Sequence, residues 1–127
     1  MQKLGNYYNS ELNEFIGENL PKIMTSIDLD LLQVKASRKI IRLAEYKHEK
    51  EGIGKQQLKA FQRLAKIAKV INKNSEMFEN WTIQVCIIRG NKPYDKIKVH
   101  DLITNIEYTC KDQKKINDFL CLEKIEI

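Results

Sequence analysis

Two short apolar runs, Ile27 to Val34 and Ile40 to His48, flank the polar stretch "KASRK" and constrain the fold more than any other feature of the chain. Both are rich in branched residues, and a short polar break between such runs predicts a β-hairpin. The runs also carry Asp28, Asp30, Glu45 and Lys47. Strand side chains alternate between faces, so Glu45 and Lys47 share one face, about 7 Å apart over two rises of roughly 3.3 Å, as do Asp28 and Asp30. A loop from Ala36 to Lys39 sets Asp30 across from Glu45 and Asp28 across from Lys47, with opposed side chains about 5 Å apart. Ile41 and Leu43 precede Glu45 on its face, so the charges continue an apolar row.

The remaining elements follow from periodicity and caps. Ser10 reads as the N-cap of a helix over 10 to 20, with Leu12, Phe15, Ile16 and Leu20 at helical spacing until Pro21. In "GKQQLKAFQRLAKIAKVINKN", Gln57, Phe61, Leu64, Ala68 and Ile71 follow one line of a helix, flanked by Leu58, Ala65 and Ile67. "WTIQVCIIRG" reads as a strand ended by Gly90, and the turn "RGNKPYDK" leads into one weaker strand, "IKVHDLITNIEYTC". Asp112 caps a last helix whose apolar face is Ile116, Phe119 and Leu120. The expected order is α-β-β-α-β-β-α in one α/β domain of 127 residues, a central mixed sheet flanked by helices.

Charge is unevenly placed in this chain of net charge +5. Residues 1 to 34 carry Glu11, Glu14, Glu18, Asp28 and Asp30 against Lys3 and Lys22. Residues 52 to 74 carry six basic residues and no acid. Those six, Lys55, Lys59, Arg63, Lys66, Lys69 and Lys73, fall within about 120° of one another on the helix, opposite Phe61 and Leu64. Such a row suits the phosphates of DNA, bound without regard to sequence. Cys86, Cys110 and Cys121 lack zinc spacing and are expected to be buried thiols. No run is long enough for a membrane helix and the start lacks a secretory signal, so the chain is expected to stay in the cytoplasm, away from membranes. Its wealth of lysine, isoleucine and asparagine suggests an AT-rich genome such as that of a phage or mobile element.

Two carboxylates held that close repel unless a cation lies between them, and hard oxygen ligands suit Mg²⁺ or Mn²⁺. Such an ion supports attack of water on a phosphodiester, with Lys47 placed to orient the water or balance charge on phosphorus. An aspartate on one strand, a hairpin, "IIRLAEYK" with Glu-x-Lys, and a following helix together resemble the PD-(D/E)xK (restriction-endonuclease-like) nuclease superfamily. The pattern is nearest to RecB-type and Holliday-junction-resolvase-like nucleases and covers residues 10 to 89, leaving 95 to 127 as a C-terminal strand-helix extension. Leu29 stands where the family often has proline, and only seven residues separate Leu20 from Asp28, so the first core strand is shortened or fused with the second.

This resemblance implies Asp30 and Glu45 as metal ligands, with Asp28 as the alternative first ligand, and Lys47 as the catalytic lysine. RecB-like members carry a glutamine and a tyrosine four residues apart on the next helix, and Gln57 and Phe61 are similar. Gln57 then supports the site. Some members add a glutamate from the first helix, a role that either Glu11 or Glu18 could take, with Glu11 preferred. The expectation is a divalent-metal-dependent deoxyribonuclease, acting without an organic cofactor, as a nonspecific or structure-specific enzyme or as a homodimer. Its alternative is a catalytically inactive nucleic-acid-binding or assembly module of the same fold. A further reading is a regulator that binds protein through the basic helix.

Overall fold

The computed structural model describes residues 29 to 124 together with Glu11 and Glu18, both helical and exposed. The rest of the helix expected over 10 to 20, and residues 27 and 28 of the expected first strand, lie outside the described residues, while Leu29 and Asp30 precede the strand, which starts at Leu31. Strands β1 (Leu31–Lys35) and β2 (Ile40–Lys47) precede helix α1 (Lys55–Lys73) and a 3-10 turn over Ser75–Phe78. Strands β3 (Thr82–Arg89), β4 (Ile97–Asp101) and β5 (Ile106–Cys110) and helix α2 (Gln113–Leu120) follow among the described residues. The five strands form one mixed α/β sheet in the order β1-β2-β3-β4-β5. Only β2 and β3 pair in parallel, because α1 returns the chain between them.

The hairpin turns where expected. Lys35 pairs with Ile40 and Leu31 with Ala44 around the turn Ala36 to Lys39, in which Lys39 takes φ 54. At the other end of α1, the Asn72 side chain donates to Ile83 O at 2.8 Å and accepts from Ile83 N at 2.7 Å, which fixes where β3 starts.

The segment after Gly90 differs from the single strand expected. It forms two strands, because Asp101 Oδ1 accepts from Ile103 N at 2.8 Å and from Thr104 N at 3.1 Å and Asn105 takes φ 59, turning the chain back on itself. The described order is therefore β-β-α-β-β-β-α, one strand more than the periodicity indicated.

Each face of the sheet is covered by a helix. On one, Phe61, Ala65 and Ala68 of α1 pack on Val85, Leu43 and Ile83. On the other, Ile116 and Phe119 of α2 pack on Ala44, Cys86, Ile88, Ile97, Val99 and Cys110. The C-terminal third is thus no extension to a finished core: it supplies β4, β5 and α2 to the same sheet and one of its two apolar layers. Two alanines let α1 lie close on the side of Phe61, which leaves Leu64 at 37% and Ile67 at 58% exposure rather than in the core. Leu120 is also exposed, and Cys121 is exposed where a buried thiol was expected, while Cys86 and Cys110 are buried. Asp112 caps α2 as expected, accepting from Lys115 N at 2.8 Å.

Arg42 is buried at 2% exposure on the α2 face. Its Nε donates to Gln84 Oε1 at 3.1 Å, and its Nη1 donates to Gln33 Oε1 at 2.9 Å and to Phe119 O at 2.6 Å. The guanidinium carbon also lies 3.8 Å from the centroid of the Phe119 ring. One side chain therefore joins three strands to α2. Among the described residues, no helix is long and apolar enough to cross a membrane.

Candidate active site

The hairpin register brings the first carboxylates together. The β1–β2 ladder ends at Leu31 opposite Ala44, so its next step sets Asp30 beside Glu45. Asp30 Oδ2 accepts from Tyr46 N at 3.0 Å, which holds the aspartate against the end of β2. Glu45 follows Leu43 on the α1 face and is buried at 4% exposure. Lys47 Nζ lies 3.7 Å from Glu45 Oε1 and 3.7 Å from Glu51 Oε2. Gln57, in the first turn of α1 and half-buried, approaches the same carboxylate.

This setting strains the charge of Glu45. Burial raises its pKa first, the adjacent Asp30 carboxylate raises it further, and Lys47 and Gln57 lower it, leaving it at about 7 against an ordinary 4.5. Glu45 Oε2 is buried without a hydrogen-bond partner among the described residues. A buried carboxylate oxygen left so is costly unless a cation or proton meets it. The donor set of Asp30 and Glu45 consists of hard oxygens and fits a divalent cation such as Mg²⁺ or Mn²⁺. Among the described residues, no group of three or more His, Cys, Asp or Glu side chains gathers for a metal, so a cation here rests on this pair.

The other expected residues are placed as follows. Glu11 is exposed and does not join Asp30 and Glu45, and Asp28 lies outside the described residues. Lys55, Lys59, Arg63, Lys66, Lys69 and Lys73 are all exposed. Lys59, Arg63, Lys66 and Lys69 line a groove of about 650 Å³ between α1 and the β4–β5 turn, whose other wall is Leu102, Ile103 and Asn105. Because α1 covers the face that carries Glu45, the groove and the carboxylates lie on the same side of the sheet.

Three neighbours of the site were missed in the sequence. Arg89 stands in register with Lys47 across the parallel β2–β3 pair, and its Nη2 donates to Glu51 O at 3.2 Å. Glu51 reaches Lys47 with its side chain and Arg89 with its carbonyl. Asn91 Oδ1 accepts from Glu49 N at 3.1 Å and lies 3.1 Å from His48 Nδ1, tying the ends of β2 and β3 together. The usable signal was that "IIR" ends the strand after α1 much as "EYK" ends the strand before it. Only a parallel pairing of the two makes them neighbours.

No family model, curated protein or solved structure matches the chain.

Proposed function

We propose that the protein hydrolyses phosphodiester bonds of DNA with the aid of a divalent cation, using Asp30, Glu45 and Lys47. One observation carries this reading: a buried carboxylate whose Oε2 has no hydrogen-bond partner among the described residues, Glu45, sits beside a second carboxylate and has Oε1 3.7 Å from a lysine ammonium. Asp30 and Glu45 would hold the cation, and when bound it supplies a polarised phosphoryl oxygen and a more acidic water. Lys47 donates hydrogen bonds from Nζ to the attacking water and to a non-bridging oxygen whose charge grows as the bond to phosphorus forms. Gln57 orients the Glu45 carboxylate, and Glu51 holds Lys47 from the opposite side. The six cations of α1 bind the flanking phosphates. A helix that follows the Glu-x-Lys strand, as the resemblance to the PD-(D/E)xK nucleases implies, is in keeping with this reading.

The test is cleavage of plasmid and oligonucleotide DNA with Mg²⁺ or Mn²⁺ and with chelator. Activity should require the cation, and Lys47→Ala should lose about 100-fold or more. Unchanged cleavage in that variant removes the mechanism. Binding of DNA without cleavage, together with no Mn²⁺ heat that Asp30→Asn abolishes, selects the inactive nucleic-acid-binding module instead.

A further inference from the structure

At the end of the sheet that carries Lys47, a second polar cavity of about 310 Å³ opens between the β3–β4 loop and β4. Its lining includes Arg89, Lys92, Lys96 and Lys98, with Asn91 and Thr109 as neutral hydrogen-bonding groups. Glu49 and Asp95 also line it, so the cations exceed the acids by two, four against two. None of the four cations forms an ion pair among the described residues, and Lys92, Lys96 and Lys98 are exposed.

Strand pairing links residues of the cavity to Lys47 of the candidate site. Lys47 pairs with Arg89, Arg89 with Lys98, and Lys98 with Thr109. Residues in register point to the same face, so these four side chains form one row across β2, β3, β4 and β5. Neighbouring strands lie about 4.8 Å apart, which puts Lys98 roughly 10 Å from Lys47 along the row. Gly90 lies close against β4: a Cβ there would sit 3.1 Å from Ile97 Cγ2, so a side chain at this position would press Ile97 back by a few tenths of an ångström.

We propose that this cavity is a phosphate-binding subsite for the DNA strand that continues past the bond cleaved at Lys47, distinct from the α1 groove. It takes backbone phosphate and so binds without base preference. The inference rests on the hydrolytic reading for the position of the cleaved bond, but not for the binding itself.

The experiment compares the wild-type chain with Lys92→Ala/Lys96→Ala/Lys98→Ala, and with the matching triple arginine variant, on a fluorescent single-stranded oligonucleotide across a salt series. Anisotropy should show the slope of log K against log salt falling by about 2 in the alanine variant, at about 0.7 per lost contact, with arginine restoring it. Where cleavage is seen, KM should rise about tenfold while kcat at saturation stays the same. A wild-type chain that binds but never cleaves, with the slope still falling in the alanine variant, keeps this subsite and removes the hydrolytic reading. A cleaving chain whose alanine variant has unchanged slope and KM keeps that reading and overturns the subsite. Absence of oligonucleotide binding by the wild-type chain overturns it as well.

Discussion

Glu45 is the residue on which the proposed chemistry would turn, and its titration can be measured without substrate. Its folded-state pKa is about 7, above the ordinary 4.5, so the folded chain holds the proton more tightly than the unfolded chain does. The associated stability is fully present below about 4.5 and is lost as pH rises through about 7. In chelator, the unfolding free energy should fall between pH 5 and pH 8.5 by an amount on the order of 3 kcal/mol that Glu45→Gln does not show. Added Mn²⁺ at the higher pH should restore stability to the wild-type chain and not to Glu45→Gln. Denaturation curves at the two pH values, with and without the ion, check both outcomes; equal pH dependence in the two proteins would refute the burial argument. The sequence placed Glu45 opposite Asp30 because a short turn fixes the register of a hairpin locally. That Glu45 would be almost wholly buried could not be read there, since α1 and β3 are what cover it.

At the scale of elements, α2 is short, and Arg42 adds a polar and stacking tie to the apolar packing of Ile116 and Phe119 on the sheet. Loss of that guanidinium leaves Gln33, Gln84 and Phe119 O without their donor and removes the group stacked on the Phe119 ring. Arg42→Met should therefore cost about 2 to 4 kcal/mol, seen as a lower urea midpoint, despite its similar length and greater apolarity. Near-neutral stability in that variant would show the cluster to be dispensable. In the sequence, Arg42 falls between Ile40 and Ala44 and reads only as a break in an apolar row. Its partner carbonyl lies 77 positions away, beyond what any local pattern reports. The same limit explains the missing strand. "IKVHDLITNIEYTC" has one continuous β-like composition, and the reversal depends on Asp101 closing a turn over Ile103 and Thr104.

For the whole molecule, the carboxylate pair, the α1 groove and the row of Lys47, Arg89 and Lys98 open on one face of the sheet. On the proposed reading, a polyanion bound to that face would meet both sets of cations. Lys59→Ala/Arg63→Ala/Lys66→Ala should weaken DNA binding by a similar factor for unrelated sequences, with a salt slope on duplex DNA lower by about 2 to 3. Filter binding of two unrelated duplexes over a salt series measures this, and a loss confined to one sequence would argue against backbone recognition. Oligonucleotides of increasing length should be cleaved with rising kcat/KM until both cation sets are occupied, and then reach a plateau.

Periodicity, caps and turn chemistry determined the hairpin and its register, the span of α1, the cap of α2 and the pairing of Asp30 with Glu45. Each of these is settled by residues within a few positions of one another, whose spacing encodes the face they occupy. Tertiary structure alone decided that β3 would lie parallel to β2 and bring Arg89 beside Lys47. It also decided that the C-terminal third would complete the core, that Arg42 would be buried, and that Glu45 Oε2 would have no partner among the described residues. Those outcomes depend on which distant surfaces exclude water together, and desolvation belongs to the assembled core rather than to any stretch of chain.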